Sequence, residues 1–259
     1  MPAKRLIGMI TVRGGWAVQS FGFRRYLPLG RPTIIAENLD RWGVDEIMVI
    51  DIGRSAAGAG PNLELVRELG RRGLSTPLAY GGGVRDAEDA AAIVAAGAER
   101  VCLDTLLDSC AAGVQDIAAC VGAQAVIAAV TMRSADDGFQ WIHHVDGRIR
   151  ELDRLEHVIS SRCCSELLVI DTEHEGGCES FDERLLDMLA FGSAPLIAFG
   201  GITTGGQIRR ITGRARVVGV AVGNSLSYAE HRVQSIRGAL SGEGFREPHW
   251  RFEAEGANE

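Results

Sequence analysis

Two aspartates are the first residues of this sequence whose type and spacing could do chemistry. Asp51 closes a short apolar run, and Asp171 closes a similar run 120 positions later. Such carboxylates can act as general acid and base, hold sugar hydroxyls, or accept hydrogen bonds from loop amides. Glu173, His174 and Glu175 add titratable groups directly after Asp171. The sequence leaves the catalytic and the structural interpretation of these groups open.

Two glycine clusters indicate where an anion could bind. Gly81–Gly83 and Gly200–Gly201 each follow an apolar run, and Asn224 and Ser225 follow another. Glycine lets backbone N–H groups approach a phosphate closely, and an amide and a hydroxyl add side-chain hydrogen bonds. Tight turns alone would also use glycine, but the recurrence of the cluster in both parts of the chain favours anion binding.

Four arginines also follow apolar runs closely in a chain whose net charge is −7. On one rim of an acidic protein, such side chains would concentrate anionic ligands. A ligand with phosphates at both ends, or one that contains a diphosphate, would suit the paired glycine sites. The arginines are Arg13, Arg54, Arg85 and Arg133.

Eight short apolar runs must position these groups, and a helical pattern follows most of them. Strands that alternate with helices predict a parallel sheet, and a chain of 259 residues fits one α/β barrel, which typically takes ~250 residues. We therefore expect a (β/α)8 TIM barrel rather than an open, doubly wound sheet. The runs are Leu6–Val12, Glu46–Ile52, Pro77–Tyr80, Arg100–Leu103, Ala125–Thr131, Glu166–Thr172, Pro195–Phe199 and Val217–Gly223.

The chain nearly repeats itself, which predicts a duplicated architecture. We expect a single barrel over residues 1–242, built from half-barrels at about 1–121 and 122–242, and a polar C-terminal tail over 243–259. Matched pairs at an offset of 120 positions are Thr11 with Thr131, Asp104 with Asn224, and Thr105 with Ser225.

Two insertions interrupt the alternation of strands and helices, and both follow strands. Gly14–Gly30 follows the first run, and Asp136–Arg150 follows the fifth and alternates like a small hairpin. Both should lie on the face where barrel active sites form. The pair His143-His144 is a poor set of metal ligands if adjacent strand residues face opposite sides. We expect no metal and no cofactor.

Composition excludes several classes of function. The negative net charge argues against nucleic acid as a main partner. No apolar run approaches the ~18 residues that a membrane helix needs, and the first residues lack the pattern of a secretory leader. The six cysteines have no CxxC spacing, which is typical of reduced core thiols. We expect a cytoplasmic protein.

Several stretches of the sequence are together specific for one family. They are Ala3–Ile7, Gly43–Ile52, Gly81–Ala90, Gly97–Val101 and Pro195–Ile202. Through them the chain resembles, over about residues 1–240, the cyclase subunit of imidazole-glycerol-phosphate synthase, a duplicated barrel of histidine biosynthesis.

The resemblance implies a partner and two kinds of site. In the family, a glutaminase subunit docks at the N-terminal face, and its ammonia passes a charged gate into the barrel. The matching gate residues are Arg5, Glu46, Arg100 and Glu166; ordinary ion pairing at strand starts is the alternative interpretation. The matching phosphate-binding residues are Gly83, Asp104, Thr105, Gly201, Asn224 and Ser225.

The departures from the family pattern bear most on function. Thr11 and Thr131 occupy the positions of the two catalytic aspartates, and a threonine hydroxyl cannot replace a carboxylate in proton transfer near neutral pH. Asp104 replaces an asparagine and would repel a phosphate. Glu175 matches an aspartate of the family, and Arg54 stands where the family has a small residue and could contact the substrate.

We therefore expect the ammonia-receiving barrel of a glutamine amidotransferase system that amidinates a sugar or sugar nucleotide. Its partners would be a glutaminase, a phosphorylated small molecule or nucleotide sugar, and a third amidotransferase protein, as in surface-polysaccharide paralogues of the family. One alternative is a true histidine-pathway cyclase in which Asp51 and Glu175 have taken over acid–base catalysis. The other is a non-catalytic barrel that binds a phosphorylated ligand.

Overall fold

Eight parallel strands close into a barrel, which confirms the predicted fold class. The computed structural model describes residues 3–109, 111–135, 138–189, 193–227 and 231–247. Closure occurs where the last strand pairs in parallel with the first, with Arg5 opposite Gly219. The barrel strands are β1 (Arg5–Arg13), β4 (Glu46–Asp51), β5 (Leu78–Gly81), β6 (Arg100–Leu103), β7 (Val126–Ala135), β9 (Glu166–Asp171), β10 (Leu196–Phe199) and β11 (Val217–Val222).

Helices cover the outside of this barrel. They are α1 (Pro32–Trp42), α2 (Leu63–Gly70), α3 (Ala87–Ala95), α4 (Thr105–Ser109), α5 (Ala111–Val121), α6 (Leu152–Ser160), α7 (Arg184–Met188), α8 (Gly205–Thr212) and α9 (Arg232–Ala239). The side chain of Asp86 caps α3 by accepting a hydrogen bond from the Asp89 amide at 2.9 Å, as its position before an alanine-rich run predicts. No sequence pattern indicates α4, which has only five residues.

Alternation along each strand divides the core into two layers. Leu6 and Ile10 of β1 pack in the larger cluster that includes the helices, whereas Ile7 and Met9 belong to the cluster inside the barrel. Thr11 continues the inner face. The inner cluster fills the barrel with apolar side chains; its buried members are Ile7, Met9, Met48, Ala79, Cys102, Ile127, Ala129, Leu168, Ile170, Ile197, Phe199 and Ala221.

Both insertions form antiparallel extensions of barrel strands. The first is a hairpin of β2 (Trp16–Phe21) and β3 (Arg25–Gly30), and β2 pairs with β1 so that Val18 lies opposite Thr11. The second begins with β8 (Gly138–Trp141), which pairs with the end of β7. Beyond β8, a turn over 143–148 returns the chain to an Ile142–Ile149 bridge. Residues 136 and 137 lie outside the described residues.

The two adjacent histidines of the second insertion do not lie on a strand, contrary to what the sequence analysis assumed. His143 and His144 follow β8 outside any strand, so the alternation argument does not hold for them. Their rings stack with centroids 5.9 Å apart. Within the described ranges, no group of three or more His, Cys, Asp or Glu side chains is arranged to hold a metal ion.

Equivalent backbone hydrogen bonds recur along the chain at the 120-residue offset. Ile52 N–H donates to Val12 O at 2.9 Å, and Thr172 N–H donates to Met132 O at 3.0 Å. The described part of the tail, residues 243–247, is packed rather than frayed, since Phe245 is buried and bridges to Lys4. Among the described residues, no helix has the length and apolar character required to cross a bilayer.

Candidate functional site

A cavity of about 470 Å³ lies at the carboxyl ends of the strands, and we call it the barrel cavity. Its volume falls within the ~300–1,000 Å³ range of small-molecule sites. The predicted site residues that border it are Thr11, Asp51, Gly83, Asp104, Thr105 and Thr131. The insertions and strand ends add Arg13, Phe23, Arg24, Tyr26, Arg133, His143 and His144.

The two threonines lie on the inner faces of β1 and β7, both facing the barrel cavity. Thr131 is buried, and its hydroxyl donates a hydrogen bond to the carbonyl oxygen of Ile142. Thr131 therefore fastens the second insertion to the barrel, at the place where the family resemblance implies a catalytic carboxylate. Thr11 is also buried, and its register partner in β2 is Val18.

Asp104 lies at the end of β6 and is neutralised by the second insertion. Arg150 Nη1 is 2.7 Å from its Oδ1, and His144 Nδ1 is 2.5 Å from its Oδ2. The Arg150 side chain is fully buried, and its guanidinium stacks over Trp141 at 4.7 Å. Burial acts to raise the pKa of Asp104, but the hydrogen bond and charge of His144 and the charge of Arg150 hold that pKa below its ordinary value. The repulsion expected between Asp104 and a phosphate is thereby offset.

Arginines supply the positive charge of the cavity wall. The guanidinium of Arg13 lies 4.4 Å from the ring centre of Tyr26, a cation–π contact. Arg133, 120 positions later, donates from Nε and Nη2 to Gln140 Oε1 at 3.0 and 2.9 Å. Two of the four arginines that were predicted from their position after strands, Arg13 and Arg133, therefore lie at the barrel cavity.

The other two predicted arginines are engaged elsewhere. Arg54 donates from Nε and Nη2 to the carbonyl oxygen of Gly60 at 2.8 and 2.6 Å, so its guanidinium holds a loop instead of facing the ligand space. Arg85 pairs with Asp89 on α3 at 2.7 Å. Because an arginine near a strand end can reach several loop carbonyls, sequence position did not determine its target.

The predicted phosphate-binding residues separate into two groups. Gly83, Asp104 and Thr105 border the barrel cavity, and we call them the open half-site. Gly201, Asn224 and Ser225 lie outside it and form the second half-site. Beside Asn224, the structure has a cavity of only about 10 Å³, which is room for about one water molecule.

The β2–β3 hairpin binds Asn224 of the second half-site. Ser20 N–H donates to Asn224 Oδ1 at 3.2 Å, and Asn224 Nδ2 donates to Ser20 O at 2.6 Å. The hydroxyl of Ser20 donates to Glu175 Oε2 at 2.9 Å, and the Phe23 amide donates to the same oxygen at 3.2 Å. Glu175 is buried, and burial is the main reason that its pKa is raised. Glu175, predicted as a catalytic group, therefore anchors the hairpin.

The aspartates that end β4 and β9 also make structural contacts. Asp51 follows Ile47 and Val49 on the outer face of β4, and its Oδ2 accepts a hydrogen bond from Asn62 at 3.3 Å. Burial raises the pKa of Asp51, although Asn62 and Arg54 act in the opposite direction. This geometry favours the loop-holding interpretation for Asp51 over a catalytic one.

Asp171 makes the equivalent contacts in the second part of the chain. It accepts hydrogen bonds from the amides of His174 at 3.2 Å and Asp182 at 2.9 Å, and from His174 Nδ1 at 2.8 Å. The two aspartates therefore shape the loops that follow β4 and β9, as the structural interpretation predicts.

Four charged residues close the opposite, N-terminal end of the barrel in a ring, here called the Arg–Glu ring. Arg5 Nη1 is 3.1 Å from Glu46 Oε2, and Arg5 Nη2 is 2.5 Å from Glu166 Oε1. Arg100 completes the ring at 3.1 Å from Glu46 Oε1 and 2.7 Å from Glu166 Oε2. Each carboxylate touches both arginines, so the ring is balanced in charge.

Burial shapes the titration of the Arg–Glu ring. Burial raises the pKa of Glu46, whose side chain is 3% exposed, although Arg100 and Arg5 act to lower it. For Arg5, burial acts to lower the pKa, but the hydrogen bond to Glu166 and the charge of Glu46 outweigh it and the pKa is raised. A buried charge with one partner missing would be costly, so the ring holds together as a unit.

Sequence reasoning missed the residues that the insertions bring to the site. Arg150 and His144 act on Asp104 from 40 or more positions away, and the aromatic side chains of Phe23 and Tyr26 enter from the hairpin. The first insertion is rich in arginine and aromatic residues, which could have indicated a role in the site. The orientation of this hairpin, however, depends on its contacts with Asn224 and Glu175.

Comparison with known proteins places this barrel in a family. The model of a histidine biosynthesis protein family matches residues 5–232. A protein of Vibrio vulnificus named imidazole glycerol phosphate synthase subunit hisF2 is 29% identical over 230 residues, covering 88% of this chain and 84% of that protein.

Further relatives carry the name imidazole glycerol phosphate synthase subunit HisF, and two of them illustrate the range of identity. That of Corynebacterium urealyticum is 30% identical over 203 residues, covering 76% of this chain and 80% of its own. That of Natranaerobius thermophilus is 24% identical over 247 residues, covering 94% and 98%. With its closed eight-stranded barrel and a family match over most of its length, this chain belongs to the histidine biosynthesis protein family.

Proposed function

We propose that this chain is the ammonia-receiving barrel of a glutamine amidotransferase system, with a separate glutaminase bound at its N-terminal face. The observation that carries the proposal is that the Arg–Glu ring and the barrel cavity lie at opposite ends of one barrel. Ammonia would enter at the ring and meet its acceptor in the cavity. Relatives named as subunits of imidazole glycerol phosphate synthase support this assignment.

The interior between ring and cavity suits a small neutral nucleophile. The inner cluster is apolar, and four of its members have small side chains: Ala79, Cys102, Ala129 and Ala221. Ammonia can cross such a layer at lower cost than ammonium, because a charge is expensive to place among apolar groups. The ring is closed by ion pairs, so entry requires that Arg5 or Arg100 swing away from its glutamates.

The acceptor end of the barrel lacks the carboxylate pair that ring closure needs in the family. The hydroxyls of Thr11 and Thr131 cannot act as general acid or base near neutral pH. The Thr131 hydroxyl also already donates a hydrogen bond to the carbonyl oxygen of Ile142. We therefore propose that the ammonia serves amidination of a sugar or sugar nucleotide, with a third amidotransferase protein completing the reaction. The arginine-lined cavity supports an anionic acceptor of this kind.

Co-expression with a glutaminase subunit of the same family tests the proposal. We expect complex formation and a large stimulation of glutamine hydrolysis. Arg100→Met, which breaks two contacts of the Arg–Glu ring, should lower the yield of amidinated product from glutamine while leaving the yield from free ammonium salt unchanged. Arg184→Met, at an exposed pair with Asp182, is the control. Absence of binding and of stimulation would reject the proposal.

A true cyclase of histidine biosynthesis is the second candidate, and the names of the relatives favour it. It requires that other groups replace the carboxylates at positions 11 and 131, yet Asp51 and Glu175 bind Asn62 and the hairpin. Growth of a cyclase-deficient histidine auxotroph on this chain would establish the cyclase. We expect no growth.

A further inference from the structure

Two histidines of the second insertion border the barrel cavity, and each is held by a carboxylate. His144 Nδ1 lies 2.5 Å from Asp104 Oδ2, and His143 Nδ1 lies 2.8 Å from Asp146 Oδ1. We propose that His144, oriented by Asp104, is the general base that takes up a proton when ammonia adds to the acceptor. This inference rests on the proposed function for ammonia as the nucleophile, and it deepens that function by assigning the proton transfer to this chain.

The place of these histidines follows from one of the threonines at the cavity. Ile142 N–H donates to Thr131 O at 2.8 Å, and the Thr131 hydroxyl donates to the carbonyl oxygen of Ile142. His143 and His144 come directly after Ile142. The insertion therefore brings imidazole groups beside the position in β7 where the family resemblance implies a catalytic carboxylate.

The contact with Asp104 determines which ring nitrogen of His144 can accept a proton. Arg150 Nη1 lies 2.7 Å from Asp104 Oδ1, and this positive charge favours the ionised carboxylate. An ionised carboxylate can only accept hydrogen bonds, so the facing Nδ1 carries the ring proton and Nε2 of the neutral ring keeps its lone pair. The His144 side chain is 32% exposed at the cavity, which leaves Nε2 for a ligand.

The surroundings of the two carboxylates favour His144 over His143 as the base. The side chain of Asp146 is 52% exposed, whereas that of Asp104 is only 19% exposed and has the fully buried Arg150 behind it. Water weakens an exposed ion pair, so Asp146 orients its histidine less firmly. The two rings stack with their centroids 5.9 Å apart, and His143 thereby supports the ring of His144.

The proposed step moves one proton from nitrogen to oxygen. The ammonia nitrogen forms a bond to a carbonyl carbon of the acceptor, and the electron pair of the C=O π bond moves to the oxygen. The nitrogen, now positively charged, gives one proton to His144 Nε2, and the imidazolium returns a proton to the oxygen. Arg13 borders the same cavity and provides positive charge for the oxygen while it is negative. The product is an amino alcohol, so the acceptor class is a sugar with a carbonyl-containing substituent.

Ammonolysis of p-nitrophenyl acetate by the full chain alone tests the proposal, because the ester carbonyl stands in for that of the acceptor. The products are acetamide and nitrophenol, and acetamide is measured with ammonium chloride at pH 8, above the ordinary histidine pKa of about 6.5. We expect the chain to accelerate acetamide formation and His144→Gln to lower the protein-dependent rate by about tenfold or more. His157→Gln, at an exposed histidine of α6, is the matched control and should stay within about twofold.

Nitrogen-15 NMR of the histidine-labelled chain measures the proton on each ring nitrogen and does not depend on a variant that folds. At pH 8, above the ordinary histidine pKa of about 6.5, we expect His144 to carry its proton on Nδ1 alone. Asp104→Ala/Arg150→Met, which removes both charges, should move that proton toward Nε2. This change of tautomer would not follow if Asp104 were only a structural partner of Arg150.

Three outcomes would overturn the inference. They are no acceleration of acetamide formation by the wild-type chain, an unchanged rate in His144→Gln, or a His144 ring whose Nε2 is protonated under the same conditions, as in a permanent ion pair. Because ammonium chloride replaces the glutaminase, a rate that depends on His144 together with no glutaminase stimulation would reject the proposed function and keep the base.

Discussion

The fully buried guanidinium of Arg150, at the end of the second insertion, lies 2.7 Å from the carboxylate of Asp104, the residue that directly follows β6. The ion pair explains how a carboxylate is tolerated at an anion site. It also makes the second insertion part of the site, since Arg148 of that segment pairs with Asp108 on α4, as does Arg154 of α6.

Replacing Asp104 by asparagine, the residue that the family pattern has there, should destabilise the protein. The substitution leaves Arg150 buried without its charge partner, and breaking a buried pair costs about 3–5 kcal/mol. Urea unfolding measures the change. The double variant Asp104→Asn/Arg150→Met should recover much of the loss, because both charges are then removed. A loss below about 1 kcal/mol for Asp104→Asn would show that the pair is not buried in solution.

Thr131→Val should loosen the second insertion. The buried carbonyl of Ile142 would lose its donor, and an unsatisfied buried polar group costs about 1–3 kcal/mol. Amide exchange across residues 138–150 should rise together with this loss of stability. The matched variant Thr11→Val keeps the shape of the side chain at the equivalent position and should leave that exchange unchanged. Equal effects of the two variants would contradict a special role for Thr131.

Glu175→Gln should stabilise the protein at pH 7 and do so less as the pH falls. Burial raises the pKa of Glu175 above its unfolded value, so the ionised form is penalised in the folded state, and stability is lost as the pH rises through the folded pKa. Glutamine keeps an acceptor for Ser20 and carries no charge. Below the unfolded pKa of about 4.3, both forms are neutral and the difference should vanish.

Urea midpoints of wild type and variant between pH 4 and pH 8 check this prediction. Glu173→Gln, at an exposed neighbouring carboxylate that accepts from the Ser134 amide at 3.0 Å, is the control and should give a difference that does not depend on pH in this way. A stabilisation by Glu175→Gln that grows toward low pH would contradict the assignment.

Arg5 and Glu166 should be energetically coupled. Their atoms lie 2.5 Å apart in the Arg–Glu ring, where removal of either residue leaves a neighbour unpaired. A double-mutant cycle with Arg5→Met and Glu166→Gln should give an interaction energy of about 1–3 kcal/mol. Additivity within about 0.5 kcal/mol would show that the ring is open in solution.

The sequence was sufficient to predict the barrel because its strands are short apolar runs in regular alternation with helices. It also predicted the ring residues, through resemblance, and the Asp86 cap, through local spacing. Helix α4 escaped detection because five residues are too few to show a helical period. The stacking of His143 and His144 was not predicted, because the chain turns at these residues, where alternation indicates a strand.

The internal use of the Asn224 amide could not be predicted in this way. Ser20 and Asn224 are 204 positions apart, and each residue is ordinary in its own segment. Resemblance assigned Asn224 to phosphate, and only the path of the hairpin shows that the amide is used internally. Likewise, Arg150 has no pattern around it that indicates Asp104 as its partner.

The hairpin has a mechanical consequence as well. The barrel has its seam where β1 meets β11, the first and last strands of the chain. At one rim, Ser20 and Asn224 join the segments that follow β1 and β11, and at the other the Lys4 amide, just before β1, donates to Gly244 O of the C-terminal segment at 3.0 Å. A force that separates the first and last strands would have to break the Ser20–Asn224 and Lys4–Gly244 hydrogen bonds as well as the strand pairing.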